Sequence, residues 1–117
     1  MAFERFTNVG KSFKPKISIR GNSQIGFNCA SIREFKLNEY KFAVLFYDKE
    51  SKRIGIKLTN DKSEEGACKL RVRAEAGASM SARSFIDCYK LGSLKSYRFN
   101  VEWDAKEKMI IADLNDK

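Results

Sequence analysis

The residues that could carry out chemistry in this chain are few and widely spaced. There is no histidine, and the three cysteines, Cys29, Cys68 and Cys88, form no CxxC pair. A structural zinc site would need more Cys and His ligands than these, so the cysteines are interpreted as reduced thiols packed as small hydrophobic groups. Asp48 and Asp104 each open a run of charged residues, which is more typical of a turn former than of a catalytic carboxylate. The sequence therefore predicts no metal, no cofactor and no enzymatic activity.

A different group of polar side chains crowds the stretch KISIRGNSQIGFN, from Lys16 to Asn28. Two short alternating segments flank a Gly-Asn turn, and such alternation is typical of half-buried strands. The turn accounts for Asn22, a solvated strand position accounts for Gln24, and the stem of Arg20 could cover an apolar edge. A binding role for these three side chains is the competing interpretation.

The basic residues are concentrated in two parts of the chain. The net charge is +8, from 23 Lys and Arg against 15 Asp and Glu. Residues 1–20 carry five basic and one acidic side chain, and residues 69–98 carry seven and two. This distribution favours a polyanionic partner such as nucleic acid. A basic but inert surface is the other possibility.

Nothing in the sequence predicts a membrane partner. The longest apolar run, near Ala43–Tyr47, is far too short to span a bilayer. The first residues contain the acidic Glu4 and no apolar segment, so no secretory signal is predicted. A cytoplasmic location is therefore expected.

The two halves of the chain resemble each other. Residues 16–20 align with 69–73 as alternating strands that open with Lys and close with Arg. Farther on, residues 47–58 align with 103–114 without a gap, and Asp, Lys, Ile and Leu are shared. The common order of these matches predicts a tandem duplication.

Each unit is predicted to contain two strands, a short helix and two further strands. The strands are expected near 16–20, 24–28, 42–48 and 53–59, then 69–73, 78–81, 97–103 and 109–114, with helices near 29–37 and 82–90. Asn28 and Ser81 are predicted to be the helix N-caps, with Ser31 and Ser84 as the alternative boundaries. One unit cannot close the edges of its own sheet, whereas two interleaved units can close a small barrel. We therefore expect a mainly β, barrel-like single domain spanning 1–117, made by a ββαββ duplication. Its expected parts are an N-terminal arm (1–15), repeat 1 (16–60), a linker loop (61–68) and repeat 2 (69–116).

The apolar pattern predicts a common core. The segment from Phe42 to Tyr47 is apolar throughout, which predicts a strand covered on both faces. The residues expected to be buried are Phe27, Ile32, Phe35, Val44, Phe46, Ile54, Ile56, Phe85, Val101 and Ile110.

The segments QIGFN (24–28) and SIREFKL (31–37) resemble the AbrB/MazE-like swapped-hairpin family of prokaryotic DNA binders. That family has a similar strand, an "IR" helix ending in Leu, and a final hairpin. The resemblance covers most of residues 16–59 and, more faintly, 69–114. Double-psi barrels, which include enzymes and substrate-recognition domains, share a similar duplicated plan, so the strand connectivity stays open between the two.

The resemblance implies where DNA would be bound. In that family, basic residues of the first hairpin and its flanks face the phosphates. The matching positions here are Lys16, Arg20, Asn22, Arg33, Lys69, Arg71, Arg73 and Arg83. On this view Arg20 would contact phosphate or guanine, and Asn22 or Gln24 would contact adenine.

These observations predict a DNA-binding, transcription-regulator-like protein that contacts the phosphate backbone through the first hairpin of each repeat. The expected partner is duplex DNA, and the chain would act as a monomeric pseudo-dimer or as a homodimer. The alternative is a non-enzymatic protein–protein interaction or structural module whose basic face binds an acidic protein. An enzyme on a double-psi-like barrel is a third possibility.

Overall fold

The computed structural model describes residues 3, 14–73 and 77–115, so most of the predicted N-terminal arm lies outside the described residues. The strands and helices, in chain order, are β1 (Lys16–Ile19), β2 (Gln24–Phe27), α1 (Cys29–Phe35), β3 (Phe42–Asp48), β4 (Arg53–Thr59), β5 (Cys68–Arg73), β6 (Gly77–Ser81), α2 (Arg83–Cys88), β7 (Arg98–Asp104) and β8 (Met109–Asp113). A 3₁₀ turn follows each helix, at Leu37–Glu39 and Gly92–Leu94. The predicted order of elements is confirmed in both halves.

The strands form a closed barrel in the order β1-β2-β6-β5-β3-β4-β8-β7. All eight pairings around the barrel are antiparallel. The predicted fold class, a small mainly β barrel with two short helices, is confirmed. Among the described residues, no helix is long and apolar enough to cross a membrane.

The strand pairing has a two-fold pattern. If β1–β4 are matched to β5–β8 in order, every neighbouring pair in the barrel maps onto another neighbouring pair. The β2–β6 pairing and the β4–β8 pairing each map onto themselves. The residue pair at the centre is Gly26 with Ser79 in the first and Gly55 with Ile111 in the second. Strand pairs of the two units, β1–β2, β6–β5, β3–β4 and β8–β7, alternate around the barrel, so the units are interleaved. The duplication itself stays a prediction.

Aromatic contacts join each helix to the opposite unit. The ring centroid of Phe35, at the end of α1, lies 6.2 Å from that of Trp103 on β7. The ring of Tyr89, just after α2, lies 4.7 Å from that of Tyr47 on β3. The sequence alignment matches Tyr47 to Trp103, so the two contacts are counterparts. Each helix thus packs against a strand of the other unit.

The two units differ where β1 and β5 pair with the strand of the other repeat. On one side Lys69 lies opposite Phe42, and β5 and β3 pair only at Lys69 and Cys68. On the other side Lys16 lies opposite Asn100, two residues farther along than the two-fold pattern would place it. Because of this shift, β1 pairs with β7 over a longer stretch than β5 pairs with β3. The second half of β5 runs past the residue where β3 begins and does not pair with it.

The predicted core is largely confirmed, with two corrections. Eight of its residues are buried: Phe27, Ile32, Phe35, Val44, Ile54, Ile56, Val101 and Ile110. Phe46 is 45% exposed, whereas Val44 on the same face of β3 is 7% exposed, so the prediction that β3 is covered on both faces is right at Val44 and wrong at Phe46. Ala43, Leu45 and Tyr47 point to the barrel interior, which leaves Phe46 on the outer surface. Phe85 is only half-buried, with its ring packed edge-on against that of Tyr47.

Candidate nucleic-acid interface

Alternate residues of β1 and β5 face away from the core. Ile17, Ile19 and Leu70 are buried in it, whereas the residues between them are half-buried or exposed. Since successive side chains of a strand point to opposite faces, the intervening residues lie on the outer surface. Six predicted site residues occupy this surface of β1, β2 and β5 or its edge: Lys16, Arg20, Gln24, Lys69, Arg71 and Arg73.

The strand register arranges these side chains in rows across five strands. The central row crosses β7, β1, β2, β6 and β5 at Arg98, Ser18, Gly26, Ser79 and Arg71. On one side of it, Lys16 lies opposite Asn100, and Arg73 lies opposite Gly77. On the other side, the amide of Arg20 donates to the carbonyl of Gln24, which lies opposite Ser81. In every row the residues contributed by β2 and β6 are small or polar. The cationic residues lie on β5 at one side and on β7 or at β1 at the other.

The cations form two lines, which we name by their strands. The β5 line consists of Lys69, Arg71 and Arg73, and the β1/β7 line consists of Lys16, Arg20 and Arg98. Strands β1 and β5 are three strand spacings apart, or roughly 14 Å along the sheet. Within the described residues, no Asp or Glu occupies an outward position of β1, β2, β5 or β6, whereas β7 carries Glu102 on the same face as Arg98.

These cations have no acidic partner in the part of the chain that the structure describes. The ion pairs there join Arg53 to Asp48 and Lys57 to Glu64, on the other side of the barrel. The positive charge of the two lines is therefore not offset by salt bridges. A surface of this kind attracts polyanions.

Arg20 lies directly over Gly26 at the centre of the face. A Cβ atom at Gly26 would be 2.4 Å from Nε, 2.6 Å from Nη2 and 2.7 Å from Cζ of Arg20. The guanidinium group therefore occupies space that any side chain at position 26 would fill. The prediction that Arg20 covers an edge with its aliphatic stem is thus incomplete, because its charged head group rests on the middle of β2.

Asn28 fixes the start of β1 to the start of α1. Its Oδ1 accepts hydrogen bonds from the amides of Ser31 (2.9 Å) and Lys16 (3.1 Å), and its Nδ2 donates to the carbonyl of Lys14 (2.9 Å). Asn28 is the N-cap of α1, as predicted. The matching prediction for Ser81 is wrong, because the N-cap of α2 is Ala82, which makes no side-chain capping bond.

The remaining predicted residues lie at or beyond the edge of the face. Asn22 is exposed in the turn that the Ser23 amide closes by donating to the Arg20 carbonyl. Arg83 begins α2 beside this turn, since the amide of Ala82 donates to the carbonyl of Ser23. Arg33 lies on the exposed side of α1, outside the rows.

Arg98 belongs to the face and was missed by sequence reasoning. Its alternation with Phe99 and Val101 indicates an outward position, and this signal was available in the sequence. What placed it beside Ser18 was the pairing of β7 with β1. That contact joins distant parts of the chain, and no local pattern predicts it.

The residues with catalytic potential have structural roles where the structure describes them. Oδ1 of Asp48 accepts from the amides of Glu50 and Ser51, and Oδ1 of Asp104 accepts from those of Lys106 and Glu107. Hydrogen bonds from the Ser51 side chain and amide lower the pKa of Asp48, which makes it a poor base at neutral pH.

The cysteines are free. Cys88 is exposed, so its predicted packing as a hydrophobic group is wrong. Cys29 and Cys68 are half-buried. Within the described ranges, no cluster of three His, Cys, Asp or Glu residues could hold a metal ion.

Comparison with known proteins adds no assignment: no family model, no curated protein and no solved structure matches this chain. The AbrB/MazE-like resemblance of residues 24–28 and 31–37 stays a prediction.

Proposed function

We propose that the protein binds double-stranded DNA through the outer face of β1, β2, β6 and β5, as a transcription regulator would. The observation that supports this proposal is the pair of cation lines on either side of a strip of small and polar residues, with the guanidinium group of Arg20 reaching from its line over Gly26 in the strip. Their charge is uncompensated among the described residues. Lys and Arg side chains arranged in this way can contact phosphates of both strands of a duplex.

The dimensions of the face match a duplex groove. The β2–β6 pair forms a convex ribbon whose outward residues, Gln24, Gly26, Ser79 and Ser81, are uncharged. The major groove of B-DNA is about 12 Å wide and admits a two-stranded β-ribbon. With β2 and β6 in the groove, Lys16 on β1 and the β5 line, on strands roughly 14 Å apart along the sheet, would meet the phosphates on its two sides. Gln24 is then the side chain on the ribbon best suited to an adenine edge.

The two-fold pattern of the barrel suits the same partner. A duplex has local two-fold symmetry, and dimeric DNA-binding proteins match it with two equivalent half-sites. Here one chain supplies both halves, because Lys69, Arg71 and Arg73 are the counterparts of Lys16, Ser18 and Arg20. A role in transcription, which the AbrB/MazE-like resemblance implies, and the cytoplasmic location expected from the sequence are part of the proposal.

The test compares two double variants that each remove two positive charges. Replacing Arg20 and Arg73 by Ala removes one cation from each line, whereas replacing Lys106 and Lys108 removes two exposed cations from the turn between β7 and β8. Fluorescence anisotropy with a labelled duplex at several salt concentrations gives the slope of log affinity against log salt. In the first variant the slope, which is negative, should become less steep by about two units. In the second variant it should stay nearly unchanged.

Two results would contradict the proposal. Equal losses in the two variants would mean that net charge, and not the face, controls binding. Failure to bind duplex even at low salt would favour the acidic protein partner over DNA.

A further inference from the structure

A cleft opens beside the β5 line, where β5 runs past the beginning of β3. The amide of Leu70 donates to the carbonyl of Lys41, and no strand of the described chain pairs with β5 beyond that point on this side. The gap has a volume of about 320 Å³. Its apolar walls come from Tyr40, Phe42, Leu70 and Val72.

The cleft is specific to this unit. In the other unit β1 pairs with β7 from Lys16 to Ser18, and the amide of Ile19 then donates to the carbonyl of Tyr97. The counterpart of Phe42 there is Arg98, which lies in the central row of the face. The two-residue shift between the units therefore closes one side of the barrel and leaves an aromatic cleft on the other.

The charges around the cleft are positive and continuous with the face. Lys41, Lys69 and Asn38 line it together with the apolar residues, and no Asp or Glu of the described chain lines it. Lys69 is also the first member of the β5 line. A molecule in the cleft would thus place its flat apolar part between Tyr40, Phe42 and Val72 and its negative part against the two lysines.

We propose that this cleft binds an unpaired nucleobase of the nucleic acid held by the β5 line. The proposal rests on the proposed DNA binding and adds that the preferred ligand contains an unpaired nucleotide next to the duplex. Bases stack on aromatic side chains irrespective of sequence while cations hold the adjacent phosphates. The cleft volume lies at the lower end of the range of small-molecule pockets, about 300–1,000 Å³, which suits one base and not a longer ligand.

Three labelled DNA ligands test the proposal. One is a short blunt duplex, the second carries a single-stranded tail, and the third carries the same tail with abasic sites, which keeps the phosphates and removes the bases. The tail with bases should bind more tightly than the abasic tail by roughly five- to 150-fold, the range expected for one base stacked on an aromatic side chain. A 2-aminopurine in the tail should lose fluorescence on binding to the unaltered protein.

Matched variants locate the effect. Tyr40→Leu and Phe42→Leu should each reduce the advantage of the tail with bases and leave binding of the blunt duplex unchanged. Phe46→Leu is the control, because Phe46 is an exposed aromatic on the same strand that does not line this cleft. Urea denaturation shows whether each variant is folded. The 2-aminopurine measurement uses the unaltered protein, so it tests the cleft even where a variant does not fold.

The outcomes separate this inference from the function on which it rests. Duplex binding with equal affinity for both tails and no 2-aminopurine quenching would overturn the cleft proposal alone. Failure of every DNA ligand to bind would overturn both proposals. A third outcome combines equal affinity for the two tails with displacement of the 2-aminopurine by an extended acidic peptide. That result would assign the cleft to a peptide and overturn its assignment to a base.

Discussion

The guanidinium group of Arg20 occupies the space above Gly26 that a side chain would otherwise fill. Gly26 lies opposite Ser79 at the point where the two-fold pattern of the barrel crosses the β2–β6 pair. Ser79 is the counterpart of Gly26, and Arg73 is the counterpart of Arg20. The space above Gly26 that the Arg20 guanidinium fills is thus taken by a Cβ at the equivalent position in the other unit.

Gly26→Ala should interact energetically with Arg20→Ala. In the native background the new Cβ forces the guanidinium away, whereas without Arg20 it meets no such group. A double-mutant cycle measured by urea denaturation should give a coupling free energy of roughly 0.5–1 kcal/mol, the low end of the range for contacting residues, because Arg20 is exposed and its guanidinium can move aside. The matched cycle of Ser79→Ala with Arg73→Ala should give less than about 0.5 kcal/mol, since position 79 already carries a Cβ. Equal coupling in the two cycles would contradict the contact.

Asn28→Ala should destabilise the protein by about 1–2 kcal/mol or more, because it removes the cap of α1 and the bonds to Lys14 and Lys16. Asn28→Asp should cost less, since a carboxylate keeps the acceptor and loses only the donor. The control is Asn22→Ala, an exposed turn position that should change the free energy of unfolding by no more than about 0.5 kcal/mol. Chemical denaturation gives all three values, and equal effects of the two alanine variants would refute this role of Asn28.

Phe99→Ala and Phe46→Ala should differ sharply in stability. Phe99 is 1% exposed in the core, so its truncation should cost about 3–5 kcal/mol. Phe46 is 45% exposed on the outer surface of β3, so the same change there should cost no more than about 1 kcal/mol. Denaturant unfolding of both variants checks this, and a loss at Phe46 as large as that at Phe99 would mean that β3 is covered on its outer face.

Acid should weaken the surface turns through three carboxylates. Hydrogen bonds from Ser51 lower the pKa of Asp48, those from Ser63 lower that of Asp61, and the hydrogen bond from Lys57 lowers that of Glu64. Because each folded-state pKa lies below the unfolded value, the stabilisation is present above the unfolded pKa and is lost as the pH falls through the folded one.

Carboxyl carbon chemical shifts followed from about pH 6 to about pH 2 should give folded pKa values below the ordinary range. In Lys57→Met the pKa of Glu64 should rise toward its usual value, while that of Asp48 should not change. A normal pKa for Glu64 in the unaltered protein would show that the ion pair with Lys57 does not persist in solution.

The local elements could be read from the sequence because their causes are local. Alternation in Lys16–Arg20 and Lys69–Arg73 predicted both first hairpins, and their registers agree residue by residue with the sequence alignment. The N-cap at Asn28 was visible for the same reason. In contrast, the continuous apolar run at Phe42–Tyr47 is misleading at Phe46, because hydrophobicity alone does not show how far along the outer face of a strand the rest of the chain covers it.

The candidate site was decided by tertiary structure. The sequence alone determined which residues alternate on each strand, and therefore that Lys16, Arg71 and Arg98 point away from the core. It could not determine that β7 lies beside β1 or that β2 lies beside β6, because these pairings join distant residues and depend on closing the whole barrel. The two cation lines and the cleft at Phe42 follow from those pairings and their register, whose free energy belongs to the assembled barrel and not to any one segment.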